Sequence, residues 1–110
     1  MESVMQKPLV RMVKVNGLQY NANRDPQAYR REAGAPFRLE ALLEGTGEAQ
    51  CTVSDERGGV LAEARVPRPG RFSCQLKFDR PGTRLVTLRV DAGESRFAQT
   101  LRLDSLAPAH

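Results

Sequence analysis

Residues 72–103 read FSCQLKFDRPGTRLVTLRVDAGESRFAQTLRL, and the alternation within this stretch decides the fold class. Apolar side chains take every second place in three segments. The first row is Phe72, Cys74, Leu76 and Phe78, and the second is Val86, Leu88 and Val90. The third is Phe97, Leu101 and Leu103, with Gln99 as its one polar interruption. An extended chain turns successive side chains to opposite faces, so a period of two serves a strand with one buried face. Asp79-Arg80-Pro81-Gly82 and residues 91–94 supply turn residues between the rows. The expected local structure is a three-stranded β-meander.

The pattern continues upstream. Phe37, Leu39, Ala41 and Leu43 alternate with Arg38, Glu40 and Leu42. A Gly45-Thr46-Gly47 turn is expected to hand over to a strand at 49–54, where Ala49, Cys51 and Val53 share a face. Asp55-Glu56-Arg57-Gly58-Gly59 reads as a hairpin loop, and Val60, Ala62, Ala64 and Val66 as the inward row after it. Pro67-Arg68-Pro69-Gly70 is expected to end that strand, because neither proline can donate to a ladder. Residues 9–15 form a first strand closed by the Asn16-Gly17 turn signal.

Residues 18–35, LQYNANRDPQAYRREAGA, break the alternation and read as a long irregular connection. Two alternatives stay open within it. One is a helical turn over 26–32, with Asp25 as N-cap and Pro26 in the first helical position. The other is an extension of a sheet edge around Leu18 and Tyr20. Residues 1–8 and 105–110 carry no pattern and are expected to fray. Seven short strands and no convincing helix predict an all-β protein, a two-sheet antiparallel immunoglobulin-like sandwich forming a single domain over 1–110.

Charge and hydropathy narrow the function classes. Seventeen basic residues, fourteen of them arginine, stand against thirteen acidic ones for a net charge of +4. The two signs are interleaved without a block of like charge, which describes a mixed solvated surface. Neither a nucleic-acid nor a membrane partner is expected. No eighteen apolar residues run together, and MESVMQKPLVRMVKV lacks the apolar core of a signal peptide. The expected location is cytoplasmic as given, or periplasmic or extracellular if the chain is an excised domain.

Residues 78–93, FDRPGTRLVTLRVDAG, resemble the F-x-x-P-G-x-Y-x-V-x-L-x-V-x-D-x-G signature of polycystic-kidney-disease and related bacterial immunoglobulin-like domains. Phe78, Pro81, Gly82, Val86, Leu88, Val90, Asp91 and Gly93 occupy the corresponding places. Arg84 stands where an aromatic is common, and the middle of the chain has no W-D-F-G-D segment. The resemblance is therefore to a bacterial immunoglobulin-like or fibronectin-type-III-like sandwich. It implies binding, adhesion or spacing, and brings no catalytic residues.

Residue chemistry points the same way. The single histidine is His110, the last residue, so a serine or cysteine nucleophile has no imidazole partner held in place. The chain is expected not to be an enzyme and to need no cofactor. Cys51 and Cys74 face inward from the third and fifth expected strands. An inter-sheet disulfide between them is the sharper reading. Two buried free thiols are the expectation, given no export signal. A metal site is not expected of them, because no C-x-x-C or histidine accompanies them.

Three surface features remain. Arg65, Arg68 and Arg71 beside Phe72 could form a nucleic-acid patch, but fit better as ordinary polar-face residues. Asp55-Glu56 and Asp91 with Glu94 could bind calcium from end loops, but acidic turn residues more often bond their own backbone. The aromatic residues not committed to a core row are Tyr20 and Tyr29. Together with Arg24, Arg30 and Arg31 they make the 18–35 connection the candidate binding surface. The expected function is a non-enzymatic protein-interaction or spacer module, working through sheet edges and that connection. Its partner would be an unidentified protein, or a second copy paired edge to edge. The alternative is an accessory domain for carbohydrate or another small ligand, using the end loops.

Overall fold

A computed structural model describes residues 8–23 and 29–107, which leaves Arg24 and His110 outside the described residues. Seven strands follow in order: β1 (Val10–Val15), β2 (Leu18–Gln19), β3 (Arg31–Glu32), β4 (Phe37–Ser54), β5 (Val60–Leu76), β6 (Gly82–Asp91) and β7 (Arg96–Leu106). They form one continuous hydrogen-bonded sheet in the order β2-β1-β4-β6-β7-β3, with β5 paired to β4. The all-β expectation holds. In place of two separate sheets, however, a single sheet curls on itself, and β3 joins β7 in parallel.

The curl originates in β4. Its first half pairs with β1 (Val13 opposite Ala41), its second half pairs with β6 (Cys51 opposite Val90), and β5 follows it on the other edge throughout. Between the halves, Leu43 lies opposite Gly70 and Gly47 opposite Arg68, so Glu44, Gly45 and Thr46 face Pro69 alone. Surplus residues on one strand bend it and increase its twist. The sheet creases there. Across the β5–β6 turn, Phe78 lies under the Arg84 guanidinium at 5.6 Å from its ring centroid.

Arg68 fills the crease. Its Nε donates to Gly47 O at 3.3 Å and its Nη1 to Glu44 O at 3.4 Å, while Nη2 donates to Thr46 O. Nη2 also meets Glu94 Oε1 at 3.2 Å, which ties the β6–β7 turn to the bend. The Glu94 carboxyl is held below its ordinary value by a hydrogen bond from its own backbone amide and then by Arg68. Gly45 suits this place by its backbone, and a side chain there would displace the Arg68 clamp. Its φ is +107°, and a Cβ would stand 2.6 Å from Arg68 Nη1.

Several expectations are corrected here. The stretch 72–103 is not a three-stranded meander. Its last two rows pair as β6 and β7, but Phe72 lies opposite Ala41 on β4. The row told which face was buried, not which strand lay alongside. Gly45-Thr46-Gly47 is a bulge within β4 rather than a reversal. Pro67 and Pro69 do not end β5, because β5 pairs with β4 alone and an edge strand tolerates missing donors. Residues 18–35 contain β2 and β3, and Arg31–Glu32 is strand, not part of a helical turn. The fraying expected from Ser105 is not found there, since β7 runs to Leu106 and buries Asp104 and Ser105; residues 108–110 and 1–7 of the expected frayed ends lie outside the described residues.

The core is one connected cluster. It joins Phe37, Leu39, Leu43 and Phe72 from one side of the crease with Val53, Leu88, Val90 and Leu101 from the other. Each is at most 2% exposed, and burial of this kind stabilises by about 2 kcal/mol for each large aliphatic side chain. The inward row of β5 departs from expectation at its start. Val60 is 57% exposed and Ala64 is also exposed, while Val66 is buried.

Candidate functional site

Creasing a sheet brings its free edges toward each other. The outer edge of β1 is covered by β2 at Lys14 and Val15, and Tyr20 N donates to Val13 O at 2.7 Å. Among the described residues no strand covers Val10–Met12 on that side. On β7, the parallel strand β3 reaches only Ser105 and Leu106. Arg96 to Thr100 has no described strand beyond it. These two edges line a groove of about 210 Å³ walled by Val10, Met12 and Val13 on one side and Phe97 and Gln99 on the other, with Tyr20 at its end.

The exposed edge of β7 has a definite polarity. Arg102 N donates to the Tyr20 hydroxyl at 3.1 Å, so its amide points away from β6. Main-chain groups alternate in direction along a strand, and the β6–β7 register runs without a shift. The N–H and C=O groups of Arg96, Ala98 and Thr100 therefore also point outward. The side chains of Phe97 and Gln99 face the groove, whereas those of Ala98 and Thr100 are exposed on the opposite face. Such an edge can add an extended strand by backbone hydrogen bonds, with pockets receiving alternate side chains.

Tyr20 closes the end of the groove, backed by Tyr29. The Tyr29 ring is 2% exposed and packs 5.1 Å from that of Tyr20, centroid to centroid. Its hydroxyl donates to Gln19 O at 2.8 Å and accepts from Asn21 N at 3.0 Å. The residues proposed from the sequence therefore separate. Tyr20 borders the groove, and Tyr29 lies in the core and positions it. Arg30 turns toward Asp104, Nε to Oδ2 at 3.9 Å, and the exposed Arg31 donates to Arg30 O at 3.0 Å. Arg24 lies outside the described residues. Reading the sequence alone missed the groove's own walls, because Phe97 and the β1 residues looked like core. Gln99, the one polar member of its row, was the available signal.

The other surface features are occupied within the chain. Arg65 pairs with Glu48 at 3.8 Å, Arg71 with Glu40 at 3.3 Å, and Arg68 is taken up by the crease. Asp55 Oδ1 accepts from the amides of Arg57 and Gly59, and Asp91 Oδ1 from that of Gly93, so both aspartates brace their own turns. Among the described residues no group of three or more His, Cys, Asp or Glu side chains is placed to hold a metal. Among them also, no helix is long and apolar enough to cross a membrane.

The two thiols are free and lie in different halves of the β4–β5 ribbon, Cys51 opposite Ala64 and Cys74 opposite Leu39. Burial pushes each up to about 11 from an ordinary 9.0. The unfolded chain therefore loses these protons first. Their contribution to stability is complete below about pH 9 and declines as pH rises toward about 11. Urea midpoints at about pH 8 and about pH 10.5 are expected to differ more for the wild type than for a Cys51→Ala, Cys74→Ala variant. Equal differences would remove the thiols as the cause.

Comparison with known proteins bears on the fold alone. Over its whole length the chain is similar in structure to the ASH/PapD-like domain of human CEP192 (PapD-like domain 7). The TM-score is 0.56 at 13% identity, and the likeness covers 94% of that chain. It supports an immunoglobulin-like class without singling out polycystic-kidney-disease or fibronectin-type-III domains. No protein-family model matches the sequence, and no curated protein matches it.

Proposed function

We propose that this immunoglobulin-like chain is a non-enzymatic interaction module that binds an extended segment of a partner protein by strand addition along the β7 edge. One observation carries the reading: the outward main-chain groups of Arg96, Ala98 and Thr100 border a groove whose other wall is the uncovered end of β1. A strand laid there would gain backbone hydrogen bonds from β7 and could seat apolar side chains against Phe97 and Met12. Tyr20 sets where it must stop, since its hydroxyl already holds the next outward amide, that of Arg102.

A displayed library of extended peptides tests this. Selected peptides are expected to slow hydrogen exchange at the amides of Arg96, Ala98 and Thr100. Ala98→Pro removes one outward donor without touching the β6 ladder, and an edge strand tolerates it. Binding is expected to weaken by at least about tenfold in that variant. Peptides that protect the 55–59 and 91–95 loops instead, or bind the proline variant equally well, would overturn the assignment in favour of an end-loop ligand.

A further inference from the structure

A second edge stands apart from the β7 groove. Strand β5 borders β4 alone, and among the described residues nothing pairs with its outer side. Pro67 and Pro69 interrupt that side in the middle of the strand, which leaves Val60–Val66, VLAEARV, as a proline-free edge. Exposed edges are normally guarded by charged side chains, proline or an inward charge; this segment has no proline and no inward charge, and its two charges, Glu63 and Arg65, are of opposite sign and can pair across a copy of the same edge. It is also apolar where water meets it, with Val60 57% and Leu61 40% exposed.

We infer that Val60–Val66 is a self-association edge, on which two copies of this chain pair antiparallel about a dyad through Ala64. The register follows from side-chain chemistry. Residues directly opposite in an antiparallel pair lie on the same face of the sheet. A dyad through Ala64 sets Glu63 of each copy opposite Arg65 of the other, giving two reciprocal unlike pairs on the outer face. On the inner face it sets Ala62 opposite Val66, with the small Ala64 side chains meeting at the axis. The neighbouring registers fail. A dyad through Glu63 or Arg65 opposes like charges, one through Ala62 sets Glu63 against Leu61, and one through Val66 sets Glu63 against Pro69 and Arg65 against Pro67, which leaves neither charge a partner.

Arg65 can exchange its present partner for this one. Its contact with Glu48 is 3.8 Å long between side chains that are both more than half exposed, and such a contact is worth little. Glu63 is exposed and lies across from Thr52 on the same outer face. Pairing of the five residues 62–66 with their counterparts gives a concentration-dependent dimer. It extends the sheet outward from β5 and leaves the β7 edge open, so the two edges act independently.

Sedimentation equilibrium on the whole chain and three variants tests the edge and the register together. The wild type is expected to dimerise reversibly. Glu63→Lys and Arg65→Glu, each alone, oppose like charges twice across the dyad and are expected to weaken the dimer by about tenfold or more. Mixed in equal amounts, those two variants are expected to form a heterodimer, because Lys at 63 then meets Glu at 65 and Arg65 meets Glu63. The double exchange E63K/R65E is expected to recover homodimers. A wild type that stays monomeric up to about 1 mM overturns the proposal. So does a mixture that fails to associate while E63K/R65E does no better than either single variant.

Discussion

An Arg68→Ala variant is expected to lose about 3 kcal/mol of stability and to melt roughly 15 °C lower than the wild type. The guanidinium donates to the carbonyl oxygens of Glu44, Thr46 and Gly47, all within the bulge that creases the sheet. The Arg68 side chain is 7% exposed, whereas Glu94 is 68% exposed, so most of the loss comes from the carbonyls rather than the ion pair. Each charged hydrogen bond of this kind contributes about 1.5–3 kcal/mol, and partial access of water to the bulge lowers the sum. Arg68→Lys keeps the charge but not the planar fork, so it should recover less than half. Urea unfolding of the three proteins measures this. A loss below about 1 kcal/mol for Arg68→Ala would mean that the bulge holds its shape without the clamp.

Tyr29→Ala is expected to cost about 4 kcal/mol, in the range for deleting a buried aromatic ring. The ring is 2% exposed, supports Tyr20, and bonds through its hydroxyl to both Gln19 and Asn21. Tyr29→Phe separates the two contributions, because the ring stays while Gln19 O and Asn21 N lose their partner. It should cost about 1–2 kcal/mol. Tyr29→Ala also releases Tyr20 from the ring that supports it, so the Arg102 amide held by the Tyr20 hydroxyl should exchange faster than in the wild type or in Tyr29→Phe. Native-state hydrogen exchange with urea titration reads the two effects together. Wild-type stability in Tyr29→Ala would return this residue to the binding surface that its loop-like sequence suggested.

The contrast between these two residues shows how far the sequence could be read. Both sit in stretches without alternation, beside prolines or arginines, and both looked like surface groups. Tyr29 is core because the segment that carries it folds back over the end of the groove and lays β3 along β7. Arg68 is almost enclosed because a bulge from a strand more than twenty residues away presents its carbonyls there. Neither environment is made by chain neighbours. By contrast, Phe37, Leu39, Ala41 and Leu43 are buried as their alternation indicated, as are Val86, Leu88 and Val90. Asp55 and Asp91 brace their own turns as their positions suggested, since an aspartate reaches amides only a few residues away.

The candidate site was legible in outline only. Edge pairing followed from an all-β chain with short strands, and Tyr20 was named, but the edge itself could not be assigned. Phe97 and Gln99 alternate like any half-buried strand, and nothing in their side chains says whether a further strand lies beyond. The same holds for Val60–Val66, which reads as a core row and is largely exposed.

The sequence by itself determined the extended residues and buried faces of β4, β6 and β7, because a period of two is a property of neighbouring side chains along one chain. Only the tertiary structure decided which strands lie side by side, that two expected turns are a crease in the long β4–β5 ribbon, and which edges stay open. The physical reason is that strands are joined by main-chain N–H and C=O groups, which are the same at almost every residue. A side-chain pattern can orient a strand toward the core, but the backbone bonds that choose its neighbour carry no label in the sequence.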